Sequence, residues 1–162
     1  MKFTTVTAQC PSFDRGFSIQ NSSSQWKLEG NVVRGGPGSF GIFLNTADDN
    51  DLVRNDVNDS IVVVNSSNNV IVNNNASDNL GGGQGGIAVG LFGGGDNEIH
   101  ANTTNNNTSN GLSIASRSSG NNITGNTSLN NLADDMRDDN PNCGSNKWEG
   151  NKFNTANQPC IQ

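Results

Sequence analysis

Tyrosine is absent from this 162-residue chain, histidine occurs once, and only 31% of the residues are hydrophobic. Average chains run closer to half apolar and a quarter charged; here the charged fraction is 15%. No stretch approaches the ~18 consecutive apolar residues that a membrane-spanning helix needs, so no span is expected. Nine Lys and Arg against fifteen Asp and Glu leave a net charge of −6. That balance argues against a nucleic-acid partner, which is held through clustered cations. What fills the chain instead is 30 Asn, 20 Gly and 17 Ser. Asn competes for backbone hydrogen bonds and Gly carries excess backbone entropy, so both disfavour helix interiors. A helical bundle is excluded, and the length admits one domain.

Low hydrophobicity can signal disorder, because such a chain cannot offset its ordering entropy. Here the apolar residues recur. A motif of hydrophobic-x-x-Asn-x-small/apolar reads Leu28-Glu-Gly-Asn31-Val-Val33, Leu52-Val-Arg-Asn55-Asp-Val57 and Ile71-Val-Asn-Asn74-Asn-Ala76. It continues as Ile99-His-Ala-Asn102-Thr-Thr104, Ile123-Thr-Gly-Asn126-Thr-Ser128 and Trp148-Glu-Gly-Asn151-Lys-Phe153. Ahead of each of the first five motifs stands a second element: Gly16-Phe-Ser-Ile19, Gly41-Ile-Phe-Leu44, Ser60-Ile-Val-Val63, Gly86-Ile-Ala-Val89 and Gly111-Leu-Ser-Ile114.

Alternating apolar positions between Asn/Gly/Ser turns describe short strands. One such unit cannot bury its own hydrophobic side, whereas stacked units share a continuous core. In a parallel solenoid, Leu28, Leu52, Ile71, Ile99, Ile123 and Trp148 are expected to form one inward column. Ile42, Ile61, Ile87 and Leu112 form a second, beside Leu44, Val63, Val89 and Ile114. A buried amide without partners costs ~1–3 kcal/mol. Stacked amides satisfy one another, so Asn31, Asn55, Asn74, Asn102, Asn126 and Asn151 read as an inward asparagine ladder. Asn also tolerates the left-handed backbone of a sharp bend, which supplies a second expected reason for its place there.

Strings such as Asn121-Asn-Ile-Thr-Gly-Asn126 and Gly111-Leu-Ser-Ile114 resemble the repeats of right-handed parallel β-helices of the pectin-lyase-like superfamily, including the NosD-type repeat. The resemblance covers about residues 16 to 155. It implies an all-β, single-stranded parallel β-helix of about five to six coils. The tail from Asn140 through Cys143 and Trp148 to Cys160 is similar to the C-terminal cap of secreted bacterial members. The expected layout is an N-terminal segment or cap at 1–15, coils at 16–142, and a last coil with a clipped cap at 143–162.

Cys143 and Cys160 lie 17 positions apart and flank the last motif. A disulfide pinning the end of the core is favoured over two free thiols. A bridge would imply an oxidising compartment, hence a secreted or cell-surface location. Cys10 is left over, and the segment Met1–Cys10 lacks the apolar run of a signal peptide. A bare first coil would expose a strand edge, so missing N-terminal coils or end-to-end self-association are expected alternatives.

Sugar-processing β-helices need convergent carboxylates, often with Ca²⁺, or a base. Two acidic turns are candidates: Asp48 and Asp49 shortly before Arg54, and Asp134 and Asp135 around Arg137. The Asn-Thr-Asp, Gly-His-Gly and Arg-x-Lys elements of the galacturonase branch are missing. His100 should point outward between Val72 and Thr124, two coils from Arg54. Oxygen-rich turns can hold Ca²⁺, and Asp134, Asp135, Asp138 and Asp139 are the denser set; turn formation alone also accounts for them. No other cofactor is expected. Loops longer than their neighbours often carry binding. In the Gly-rich insertion that begins near residue 78, Gln84 and the nearby Phe92 are the candidate ligand contacts.

The resulting expectation is a non-catalytic secreted β-helix that binds polysaccharide or displays a surface. A polysaccharide lyase or glycoside hydrolase is the enzymatic alternative. A fibre or stacked-filament component is the structural one. The outward column Val32, Asp56, Asn75, Thr103, Thr127 and Lys152 lacks the uniformity of an ice-binding face.

Overall fold

The computed structural model describes residues 6–7, 15–21, 24–35, 38–81 and 84–162. Cys10 and most of the expected N-terminal segment lie outside the described residues. The strands are two to six residues long, and the three-residue ones mostly carry one buried side chain between two more exposed ones. That is the burial pattern of a strand with one face in a core and the other in water.

Three parallel sheets form the walls of a solenoid of about five turns. The first contains β1 (Val6–Thr7), β4 (Val32–Arg34), β7 (Asp56–Val57) and β10 (Asn75–Ala76). Isolated bridges extend it through Thr103 and Thr127 to Lys152. The second stacks β2 (Arg15–Gln20), β5 (Phe40–Asn45), β8 (Ser60–Val64), β11 (Ile87–Leu91), β13 (Leu112–Ile114) and β15 (Met136–Asp138). The third stacks β3 (Lys27–Glu29), β6 (Asp51–Val53), β9 (Val70–Val72), β12 (Glu98–His100), β14 (Asn122–Thr124) and β16 (Lys147–Glu149).

The register places Leu28, Leu52, Ile71, Ile99, Ile123 and Trp148 in one column, as the motif predicts. Ile42, Ile61, Ile87 and Leu112 form another, which Phe17 and Met136 extend at its two ends. The neighbouring column runs Ile19, Leu44, Val63, Val89, Ile114 and then Asp138. A buried carboxylate therefore takes the last apolar place.

The asparagine ladder is present, and among the described residues it is one of three. In the first, each Asn side-chain amide and backbone N–H donate to Oδ1 of the next Asn, from Asn31 through Asn55, Asn74, Asn102 and Asn126 to Asn151. The second amide hydrogen goes to a strand carbonyl of the preceding coil, as in Asn74 to Leu52 at 2.8 Å. A second ladder runs Asn50, Asn69, Asn97, Asn121 and Asn146. A third, shorter one links Asn79, Asn107 and Asn131.

The expected backbone reason for the ladder Asn is corrected by the structure. None of the six motif Asn has a positive φ; the residue just before each does, at Gly30, Arg54, Asn73, Ala101, Gly125 and Gly150. The same holds at Asp49, Asn68, Asp96 and Gly120 before the second ladder. The bend is made one residue early, which leaves the ladder Asn free to turn its amide inward. The amide is there for its hydrogen bonds.

Cys143 and Cys160 are bridged, with Cα atoms 6.1 Å apart. In the chain-entropy picture a loop of that length is worth ~3 kcal/mol. The bridge holds buried Ile161 against the end of the core beside Trp148 and Cys143.

Candidate functional site

Alternation breaks down on the outer face of the second sheet. Its outward column reads Ser18, Phe43, Val62, Ala88, Ser113 and Arg137, polar at both ends and apolar in the middle. Phe43, Val62 and Val64 form an apolar cluster separate from the core, with Phe40 and Leu91 packed against it. Parallel strands place such side chains ~4.8 Å apart along the solenoid axis.

These residues floor a groove of about 490 Å³. Arg15, Asn45, Gln84 and Phe92 complete its lining. The Phe40 and Phe43 rings stack with centroids 5.4 Å apart and planes 16° apart. The Arg15 guanidinium lies over Phe43, 3.8 Å from its centroid. A guanidinium stacked this way keeps its in-plane N–H groups for an anion. Among the described residues no carboxylate lines the groove. Phe43, Val62 and Val64 are themselves buried, so the surface open to a ligand comes from Phe40, Leu91 and Phe92 with three planar polar groups. Phe92 is 90% exposed and sits at positive φ.

Gln84 and Phe92, singled out as loop contacts, are thus brought together in one groove. Arg15, Phe40, Phe43, Val62 and Val64 were missed. For all but Arg15 the signal was legible: β5 and β8 read Phe-Gly-Ile-Phe-Leu-Asn and Ser-Ile-Val-Val-Val, apolar on both faces where one suffices.

The acidic turns go elsewhere. Asp48 is exposed and accepts the Ser67 backbone N–H at 2.7 Å. Asp49 is exposed at a left-handed corner, and Arg54 pairs with Glu29. His100 stands between Val72 and Thr124 as expected, and Arg54 is two strands away.

The 134–139 cluster divides by face. Arg137 bridges Asp134 (2.9 Å) and Asp139 (2.8 Å) on the outside. The hydrogen bond that Arg137 donates to Asp139, opposed by partial burial and joined by the one to Asp134, raises the Arg137 pKa further. Asp135 and Asp138 are buried. Asp135 Oδ1 accepts the backbone and side-chain N–H of Asn131, and Oδ2 accepts the backbone N–H of Asn154 and Thr155. Burial opposes ionisation of Asp135, but these donors together hold its pKa below the usual carboxylate range. Asp138 Oδ2 accepts from Asn146 Nδ2 and Trp148 Nε1, and Oδ1 accepts both N–H groups of Asn140.

These two carboxylates end two ladders. Asp135 terminates the third at Asn131, and Asp138 terminates the second at Asn146. The first ends at the Gln162 carbonyl, which accepts from Asn151 N and Nδ2.

The family model described as periplasmic copper-binding protein (NosD) matches residues 5–110. The chain belongs to the NosD family. No curated protein and no solved structure matches it. Copper favours imidazole, thiolate and thioether ligands. Here His100 sits between Val72 and Thr124, Cys143 and Cys160 are spent in the disulfide, and Met136 is fully buried in the core. Among the described residues no group of three or more His, Cys, Asp or Glu could hold a metal ion. The described residues do not fit a copper centre.

Proposed function

We propose that this chain is a non-catalytic β-helix protein of the periplasm or cell surface that binds an acidic polysaccharide along the groove over β2, β5, β8 and β11. One observation carries the reading: exposed phenyl and aliphatic surface lies beside two amides and the Arg15 cation, with no carboxylate among the described lining residues. Sugar rings offer an apolar face to aromatic side chains and hydroxyls to amides, the mix of apolar wall and few polar groups typical of ligand sites. Arg15 supplies the attraction for a carboxylate or sulfate on the chain. The parallel register runs the groove along the solenoid axis for about 14 Å over four strands, which suits a linear polymer. The periplasmic description of the family and the disulfide both support an oxidising location.

Calorimetric titration with polygalacturonate, dextran sulfate and neutral dextran tests this. Binding to at least one acidic polymer is expected, with Phe92→Ala and Arg15→Gln each weakening it about fivefold or more without shifting Tm. Failure of all three polymers to bind, or binding indifferent to both substitutions, would overturn the reading. Turnover of either acidic polymer would replace it with the enzymatic alternative.

A further inference from the structure

The three ladders end on acceptors of different attachment. Asp135 and Asp138 belong to the second sheet or its immediate approach, and β15 is paired in register with β13. The Gln162 carbonyl lies outside the described strands. Beyond Gln158, whose side chain donates to the carbonyls of Asp138 and Asn140, residues 160–162 are held by the Cys143–Cys160 bridge, by buried Ile161 and by the backbone bond from Ile161 to the Gln158 carbonyl.

We propose that the Cys143–Cys160 disulfide is a redox latch on the first asparagine ladder alone. An external dithiol attacks Sγ of Cys160, which belongs to the less buried of the two residues. The S–S bond breaks with its electron pair going to Cys143 Sγ, which takes up a proton. The second thiol of the reductant then resolves the mixed disulfide, leaving two protein thiols and a cyclic oxidised dithiol. Residues 160–162 then keep the packing of Ile161 and Cys160, the Ile161–Gln158 backbone bond and the two Asn151 bonds, but no covalent tie to Cys143, and their fraying strips Asn151 N and Nδ2 of the Gln162 acceptor. The second and third ladders keep their carboxylates, because neither Asp135 nor Asp138 depends on the bridge for its position. The device opens one corner of the last coil in a reducing medium and closes it in an oxidising one.

Hydrogen exchange of the full chain, with and without dithiothreitol, reads each ladder separately. On reduction the amides of Asn151 and Ile161 are expected to exchange at least tenfold faster. Those of Asn121 and Asn131, which donate to Asn146 and Asp135, should stay within about twofold. Reoxidation restores the first pair. The Cys143→Ser/Cys160→Ser chain should show the reduced pattern without reductant. Unchanged exchange at Asn151 in the reduced wild-type chain overturns the latch. So does an equal rise across all three ladders, or global loss of protection, since either makes the bridge a support of the whole fold.

Discussion

The groove and the closed end of the solenoid invert one another. On the outer face of β5 and β8, apolar side chains stand where a strand normally presents polar ones. At the C-terminal end, Asp138 stands in an inward column that every preceding coil fills with an aliphatic side chain, and Asp135 is buried near it. In a stacked fold a residue's chemistry does not reveal its task; its level and its face do. Asp134 and Asp135 are neighbours in sequence, yet one pairs with Arg137 in solvent and the other ends a buried ladder. An apolar residue outside is free to serve a ligand. A charged residue inside is committed to the fold.

The largest effect expected from this contrast is at Asp138. Replacement by Leu removes the acceptor for four N–H groups, two of them on buried Asn146 and Trp148. The loss should reach about 3–5 kcal/mol in denaturant unfolding. Phe92→Ala, by contrast, should stay within about 0.5 kcal/mol. Equal effects at the two positions would break the comparison.

Acid sharpens it next. The folded pKa of Asp135 is depressed, so its contribution is present above the unfolded value of about 3.9 and is lost as pH falls through the folded value. Asp59 has the opposite sign. It is buried beneath Ser39, and desolvation outweighs the hydrogen bonds from Ser39 and Gly35 and raises its pKa. Its contribution is therefore greatest below the unfolded value and declines as pH rises through the folded one. Unfolding followed from pH 6 down to 2 should show a steeper acid loss in Asp59→Asn, which lacks the opposing slope. Asp135→Asn should flatten the curve.

The smallest effect concerns a group that neither region uses. Thr104 Oγ1 is buried in the core without a hydrogen-bond partner. Thr104→Val removes that unsatisfied group at nearly constant volume and should raise stability by about 1 kcal/mol. A thermal melt checks it, with polysaccharide binding unchanged.

The first ladder was legible because its Asn follows an apolar residue by three positions in six repeats. The second and third were written just as regularly, at intervals of five: Asn69, Asn74 and Asn79, then Asn97, Asn102 and Asn107, then Asn121, Asn126 and Asn131. They went unread because only the middle one carries a large apolar marker at −3, whereas the others have Ser66, Ala76, Gly94, Thr104, Ser118 and Ser128 there. Composition alone makes a ladder Asn and a turn Asn indistinguishable. For the groove, the doubled apolar pattern of β5 and β8 was visible, but Arg15 joins it only through its stacking on Phe43 across two strands.

By itself the sequence determined the parallel stacking and the inward columns, because both are periodic and repetition fixes register without long-range knowledge; the closing disulfide it only favoured, through two Cys flanking the last motif. Tertiary structure decided what repetition cannot express. It set where the ladders stop, which acidic residues are spent on stopping them, and which outward side chains from separate coils meet in one groove. Those are properties of ends and faces. They exist only once the coils have been stacked and side chains from separate coils have met.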